Sequence, residues 1–302
     1  MSRCIVVTGC SSGFGRQVSE RLARGGDRVY ATMSDTQGRN AAVARELQEI
    51  AASEGVDLRV LDLDVTLASS VDAAAATVLA ESGAPEVLVN NAGQMFVGFT
   101  EAFTAEELAD QLDINVVGVH RLNRAFLPSM RKRGSGLVIN ISSVAGRLSA
   151  PFFGVYHASK WGLEGYCMAL RGELASSGVD VVVVEPGPFE TALFPSSPRP
   201  KDVEGRIDSY PAVAHEALEN LGNAFEGMFN DPGTPTDPVM VVDQVIALAD
   251  MEPGTRPFRS VVGVDVGVRG RNAAVEPFDA AVLEAFGMTE FATLARQAQG
   301  GS

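Results

Sequence analysis

Short apolar runs and longer amphipathic stretches alternate along most of the chain. The run "RCIVVTG", residues 3–9, is apolar and ends in glycine, which predicts a buried strand. Residues 13–25 carry helical spacing. "RVYATM" predicts a second strand, residues 39–54 a helix, "DLRVLDLDV" a third strand and residues 68–82 a helix. A fourth strand at "EVLVNNAG", a long helix over 104–132 and a fifth strand at "GLVINISS" follow. Then come a helix over 155–176 and a sixth strand at "VDVVVVEPG". Strands built almost wholly from Val, Ile and Leu are those of a parallel sheet covered on both faces. Right-handed crossovers then give an α/β fold with a doubly wound, mostly parallel sheet.

The rhythm breaks after the sixth strand. Pro186, Pro188, Pro195, Pro198, Pro200 and Pro211 punctuate the next stretch. A helix over 212–230, a link over 231–238 and a helix over 239–250 lead to a seventh strand at "FRSVVGVDV". The irregular segment 188–238 leaves the carboxyl end of a strand, the edge where doubly wound folds bind ligands. A long irregular segment in a compact domain is usually functional. It is read here as a substrate lid on a single domain spanning residues 1–302, against the alternative of a mobile surface loop.

Composition narrows the function classes. A net charge of −14 argues against partners that need basic patches, so neither nucleic acid nor an anionic membrane is expected. No apolar stretch is long enough to span a bilayer, and "MSRCIVVTG" lacks the apolar core of a signal peptide. Cys4, Cys10 and Cys167 are too scattered for a disulfide framework or a zinc site. A reducing cytoplasm fits them.

Two motifs carry chemistry. "TGCSSGFG" joins the first strand to the first helix, and Gly9, Gly13 and Gly15 permit a tight turn and close backbone approach. A pyrophosphate can then sit on the helix N-terminus. "YHASK" places Tyr156 and Lys160 four residues apart, on one helix face. Only 3 lysines stand among 24 basic residues, which marks Lys160 as a position where arginine does not serve. A lysine offers a compact charge with movable donors, and a nearby ammonium lowers a phenol's pKa. His157 adjoins Tyr156, but successive helix positions point different ways, so it is expected to face away. Trp161 is read as packing.

The glycine spacing, with "NNAG", "NVVG", "YHASK" and "PGPFET", resembles the short-chain dehydrogenase/reductase family. The resemblance is close over residues 3 to 192, and "VYATM", "PGPFET" and the long lid are most similar to its hydroxysteroid and retinol dehydrogenase branch. It implies a Rossmann-type fold and an oxidoreductase that moves a hydride between a nicotinamide cofactor and a ketone, aldehyde or alcohol. By position, Tyr156 is the acid/base, Lys160 its partner and Ser143 the oxyanion donor, with Ser142 the competing choice. Asn115 matches the family's helix-kinking asparagine, against the alternative of a simple cap. The cofactor set is Gly9, Ser11, Ser12, Gly13, Phe14, Gly15, Met33, Ser34, Arg39, Asp64, Val65, Asn91, Ala92, Gly93, Tyr156, Lys160, Pro186, Gly187, Phe189 and Thr191. Asp64 has a second reading as a turn cap. No metal is implied.

NAD-preferring relatives place an acid at the end of the second strand. Met33 stands there, between Thr32 and Ser34, so NADP is the expected cofactor, with Ser34, Arg39 or Arg16 as phosphate contacts, and NAD the alternative. Phe189, Leu193, Phe194, Phe225, Met228 and Phe229 make the lid apolar, which suits a largely apolar small-molecule substrate. The resemblance also implies a homo-oligomer, dimer or tetramer. The competing function is a non-catalytic dinucleotide-sensing regulator on the same fold.

Overall fold

The computed structural model describes residues 2–292 and 294. Among them, β1 (Cys4–Thr8), β2 (Arg28–Met33), β3 (Leu58–Asp62), β4 (Val87–Asn90), β5 (Gly136–Ile141), β6 (Val179–Pro186) and β7 (Arg259–Val262) form one sheet. All neighbours are parallel, in the order β3-β2-β1-β4-β5-β6-β7. The helices are α1 (Gly13–Arg24), α2 (Ala41–Glu54), α3 (Ala68–Ser82), α4 (Ala105–Leu112), α5 (Gly118–Arg133), α6 (Gly154–Leu174), α7 (Ala212–Asn230), α8 (Val239–Asp250) and α9 (Val268–Ala285).

Alternation along β1 shows why both faces are covered. Ile5 and Val7 join one core with Val18 and Leu22 of α1, Leu47 of α2 and Val245 of α8. Cys4 and Val6 join the opposite core with Val71 of α3, Phe126 of α5 and Leu163 of α6. Successive strand side chains point to opposite faces, so a strand apolar throughout needs helices on both. The chain winds outward from β1 through β2 to β3, then returns and winds the other way from β4. That reversal opens a crevice at the carboxyl ends of β1 and β4.

The single helix expected over 104–132 is two helices joined by a π-turn. Thr104 caps α4 reciprocally with Glu107: its hydroxyl accepts Glu107 N–H at 3.2 Å, and the Glu107 carboxylate accepts Thr104 N–H at 2.9 Å. At Asp113–Val117 the backbone adds one residue to the turn, and Gly118 N–H bonds to Asp113 O, five residues back. Such bulges re-aim side chains inside helices, often at functional sites.

β7 is shorter than the run 258–266 because Gly263 adopts a φ of +77° and turns the chain out of the sheet. The sequence pattern gave no sign of α9. Only Val268 of that helix is buried, Pro277 lies within it, and its larger apolar residues Phe278 and Val282 face solvent rather than the core. Between β6 and α8 the chain holds one short 3₁₀ turn, Ile207–Ser209, and α7. Leu221 and Phe225 of α7, with Leu193 and Phe194 before it, pack on Met95, Val97, Ala145, Phe153 and Tyr156. No helix among the described residues is long and apolar enough to cross a membrane.

Candidate active site

The turn after β1 is shaped by contacts only glycine allows. Gly9 has a φ of +72°, and a Cβ there would sit 2.8 Å from Ala92 Cα. A Cβ on Gly15 would meet Asn91 Nδ2 at 2.4 Å and Gly9 O at 2.5 Å. α1 therefore begins hard against the exit of β4. Ser12 stands at its N-cap without a side-chain cap bond, and no acid lies in the first turn. The first N–H groups of α1, at Gly13, Phe14 and Gly15, thus keep an N-terminus suited to an anion. Ser11 lies partly covered just before them, and Phe14 meets Phe189 edge-on at 5.6 Å.

Asparagines tie this turn to the rest of the crevice. Asn91 Nδ2 donates to Thr8 O at 2.7 Å and Gly9 O at 3.2 Å, while Asn91 and Ala92 both donate N–H to Thr8 Oγ1 at 3.0 Å. Asn115 lies in the π-turn and is 1% exposed. Its Oδ1 accepts Gln94 N–H at 2.9 Å, and its Nδ2 donates to Gln94 O and Ser159 Oγ, each at 2.9 Å. A Cβ on Gly93 would approach that Oδ1 to 3.2 Å. Asn115 is thus no helix cap; it bridges the β4 exit to α6.

Ser143, Tyr156 and Lys160 converge beyond the end of β5. Ser143 Oγ accepts Ala145 N–H at 3.1 Å and donates to Pro186 O at 3.3 Å, and it lies near enough to the Tyr156 phenol to lower its pKa. Ser142 is turned away, its buried hydroxyl lacking a hydrogen-bond partner among the described residues. Lys160 Nζ donates to Ile141 O at 2.8 Å and stands 5.8 Å from the centre of the Tyr156 ring. Burial pushes the Tyr156 phenol up to about 12, with the Ser143 bond opposing. Burial pulls the Lys160 ammonium down to about 8, with the Glu164 carboxylate opposing. The sequence led us to expect an ammonium that lowers the phenol's pKa. In this arrangement desolvation dominates both groups and keeps the phenol protonated.

The remaining cofactor candidates divide. Met33 belongs to the buried core, so its side chain does not face the crevice. The next residue, Ser34, is only partly buried: its Oγ accepts Arg39 Nη2 at 3.2 Å and its carbonyl accepts Asn40 Nδ2 at 2.7 Å. The Asp35 carboxylate is turned back onto Arg39 N–H at 2.7 Å. Arg16 is paired with Glu20 and Glu46 instead. Asp64 caps its own turn, accepting Thr66 N–H at 2.9 Å and Thr66 Oγ1 at 2.6 Å, and Val65 is buried beside it. Pro186 ends β6, and a Cβ on Gly187 would meet Val264 O at 2.5 Å. Phe189 is buried, and Thr191 lies across the turn from Gly13, 3.9 Å from where its Cβ would be.

His157 points onto the loop that follows Ser143 rather than onto Tyr156 or Lys160. It is 6% exposed and holds the loop after Ser143 by both ring nitrogens. Residue spacing carries no signal of this, because both partners are backbone atoms. Trp161 packs as expected, donating Nε1–H to Leu148 O at 3.1 Å beneath the guanidiniums of Arg147 and Arg271.

Comparison with known proteins agrees with this geometry. The sequence model of the short chain dehydrogenase family matches residues 3–202. The chain is 44% identical over 200 residues to 17-beta-hydroxysteroid dehydrogenase type 1 of Homo sapiens, covering 64% of this chain and 59% of that protein. It is 34% identical over 264 residues to retinol dehydrogenase 8 of Bos taurus, covering 82% and 78%. A short-chain dehydrogenase from Streptomyces avermitilis superposes with a TM-score of 0.75 at 34% identity, over 95% of this chain and 97% of that one. An actinorhodin polyketide ketoreductase solved with NADPH superposes at 0.69 with 28% identity, over 88% and 97%. The chain belongs to the short-chain dehydrogenase family, on its hydroxysteroid and retinol dehydrogenase side.

Proposed function

We propose that the protein is an NADP-dependent oxidoreductase that interconverts a carbonyl and an alcohol on a largely apolar substrate. The observation that carries this reading is the Tyr156 phenol, buried in an apolar cluster with Lys160 Nζ 5.8 Å from its ring centre and Ser143 close enough to lower its pKa. Tyr156, neutral at physiological pH, delivers a proton to the developing alkoxide oxygen. Ser143 donates a hydrogen bond to the same oxygen. When bound, the nicotinamide cofactor supplies or accepts the hydride. Incubation with NADPH and a panel of apolar ketones tests the reading. Binding of NADPH without turnover on any of them would favour the dinucleotide-sensing alternative.

The residues present fit the cofactor. Ser12 leaves the N-terminus of α1 without a side-chain cap, and the crowding at Gly9 and Gly15 brings the backbone close. Those N–H groups would hold the pyrophosphate, Asp64 and Val65 would flank the adenine, and Gly187 and Thr191 would hold the nicotinamide end. Lys160 would donate to the ribose hydroxyls. Lys160→Arg is expected to lower turnover by about tenfold or more, because a rigid fork replaces a single ammonium donor in a closed space. Near-normal turnover in that variant removes Lys160 from the chemistry.

The Ser34–Arg39 pair supports NADP over NAD, since it puts a hydroxyl and a guanidinium where a 2′-phosphate would lie. We expect tighter binding of NADPH than NADH, and Ser34→Asp to reverse the order. A tenfold change of ratio needs only about 1.4 kcal/mol, which a carboxylate against a phosphate supplies. Fluorescence titration at fixed salt measures both affinities. A wild-type preference for NADH sinks the assignment.

The segment 188–238 is read as the lid. A cavity of about 400 Å³ lies beneath it, lined by Val97, Phe99, Phe194, Ile207, Leu218 and Leu221 among others. Val97, Phe194 and Leu221 belong to the same apolar cluster as Tyr156, although neither Tyr156 nor Ser143 lines the cavity. The relatives named for a hydroxysteroid and for retinol point to the same apolar class of substrate. The free, buried Cys4, Cys10 and Cys167 support a cytoplasmic setting. The proposal extends to a homo-oligomer, supported by the exposed Phe278, Val282 and Phe286 at the end of α9.

A further inference from the structure

We propose that His157 is a positioning residue whose neutral ring fixes the loop that aims Ser143 at Tyr156. The inference rests on the carbonyl–alcohol reading of the site. Its geometry is a chain of backbone contacts. Ala150 N–H donates to His157 Nε2 at 2.9 Å, so that nitrogen is an acceptor and carries no proton. Nδ1 therefore carries the proton and donates it to Ala145 O at 2.8 Å. The same Ala145 gives its N–H to Ser143 Oγ at 3.1 Å. One peptide unit on each side of Ala145 is thus pinned, by the imidazole and by the serine. Ser143 Oγ, filled on that side, is left to face Pro186 O and the phenol.

The loop needs such a hold. Residues 147–153 carry no regular structure, and Phe152 adopts a φ of +71°, a conformation that costs a bulky residue free energy. Phe152 O in turn accepts Gly98 N–H at 2.8 Å. His157 spans the loop from Ala145 to Ala150, and its ring meets Phe153 edge-on at 5.9 Å. Helix α6 supplies the histidine directly after Tyr156, so the acid and the clamp move as one body.

Protonation defeats the clamp. An imidazolium has two N–H donors and no acceptor, so Nε2–H and Ala150 N–H would point at each other. The charged groups packed around this loop are Arg147 from the loop itself, Arg271 from α9 over Trp161, Lys160 and Glu164 on the same helix, and Glu185 of β6, whose carboxylate acts on Arg147. The phenol of Tyr156 and the hydroxyl of Ser143 are neutral. From the 188–238 segment, Phe225 reaches Phe153 as an apolar contact.

Glutamine separates positioning from titration. Its amide oxygen accepts Ala150 N–H and its NH₂ donates to Ala145 O, yet it does not ionise. Assays run in the direction of carbonyl reduction, where acid favours the protonated phenol and gives no acid limb of its own. Between about pH 8 and about pH 5.5 wild-type kcat is expected to fall about tenfold. His157→Gln should stay within about twofold over that range, and His157→Leu should be slow at every pH with NADPH affinity unchanged. Amide exchange of Ala150 in the wild-type protein supplies a readout that needs no turnover. Its N–H should be protected at the higher pH and exchange freely at the lower. An acid limb shared by wild type and His157→Gln, or an Ala150 amide whose protection ignores pH, overturns the proposal. Exchange behaving as expected in a protein that reduces no ketone would instead overturn the functional reading and leave the clamp standing.

Discussion

Replacing Tyr156 by phenylalanine is expected to lower turnover by about 100-fold or more while NADPH binding survives. The substitution deletes one hydroxyl from a ring that stays packed among Met95, Val97, Ala145 and Phe153. The glycine turn and the Ser34–Arg39 pair are on other elements and are not disturbed. What is lost is the phenol whose pKa Ser143 lowers. Burial holds that phenol at about 12, so at neutral pH it is a proton donor almost without exception. That state suits reduction, in which an alkoxide of higher basicity takes the proton. The phenolate then left behind is buried 5.8 Å, ring centre to Nζ, from the Lys160 ammonium. That nearby charge relieves the phenolate. Titration of the variant with NADPH, beside steady-state kinetics, checks both halves. Loss of nucleotide binding together with turnover would make Tyr156 a structural residue.

The order of strands and helices was legible because parallel strands buried on both faces read as unbroken Val, Ile and Leu. The glycine turn was legible because φ above zero and near-zero clearance leave only one residue type. The "YHASK" spacing placed Tyr156 and Lys160 on one face of α6, and both lie buried beside Ser143. What stayed hidden was carried by backbone partners and by long-range packing. His157 bonds two main-chain atoms, which no pattern of side chains announces. Met33 occupies the strand end that specificity arguments single out, but the pleat turns it into the core and hands the position to Ser34. Charge alone gave a lowered pKa for Tyr156, where burial raises it. Spacing shows which groups are near, whereas desolvation depends on everything packed around them. α9 was missed for a related reason: it is held by polar contacts such as Asn272 Nδ2 to Glu185 Oε2 at 2.7 Å rather than by an apolar stripe.

That last contact leads to a stability effect behind the catalytic helix. Glu185, on β6, is fully buried, and its Oε1 lacks a hydrogen bond among the described residues. Glu164, one turn along α6 from Lys160, is buried beside it, and its Oε1 also lacks a hydrogen bond. The Arg259 guanidinium serves both, at 3.0 Å from Glu164 Oε2 and 3.6 Å from Glu185 Oε1. Two carboxylates share one close cation. Burial first, and Glu164 second, push the Glu185 carboxyl up to about 7 from 4.5, against the Asn272 bond and the charges of Arg259 and Arg147. Because the folded state binds this proton more tightly than the unfolded chain, the contribution is fully present below about pH 4.5. It is lost as pH rises through about 7. The shift corresponds to about 3 kcal/mol across that window. Glu185→Gln keeps the acceptor for Asn272 and can donate to Glu164 without ionising. Its stability relative to wild type should therefore rise from about pH 5 to about pH 8, by up to about 3 kcal/mol. Urea unfolding of both proteins at each pH measures the difference and cancels every other titrating group. A difference between variant and wild type that is the same at both pH values would show that Glu185 does not change its protonation there, and that Arg259 holds both carboxylates charged.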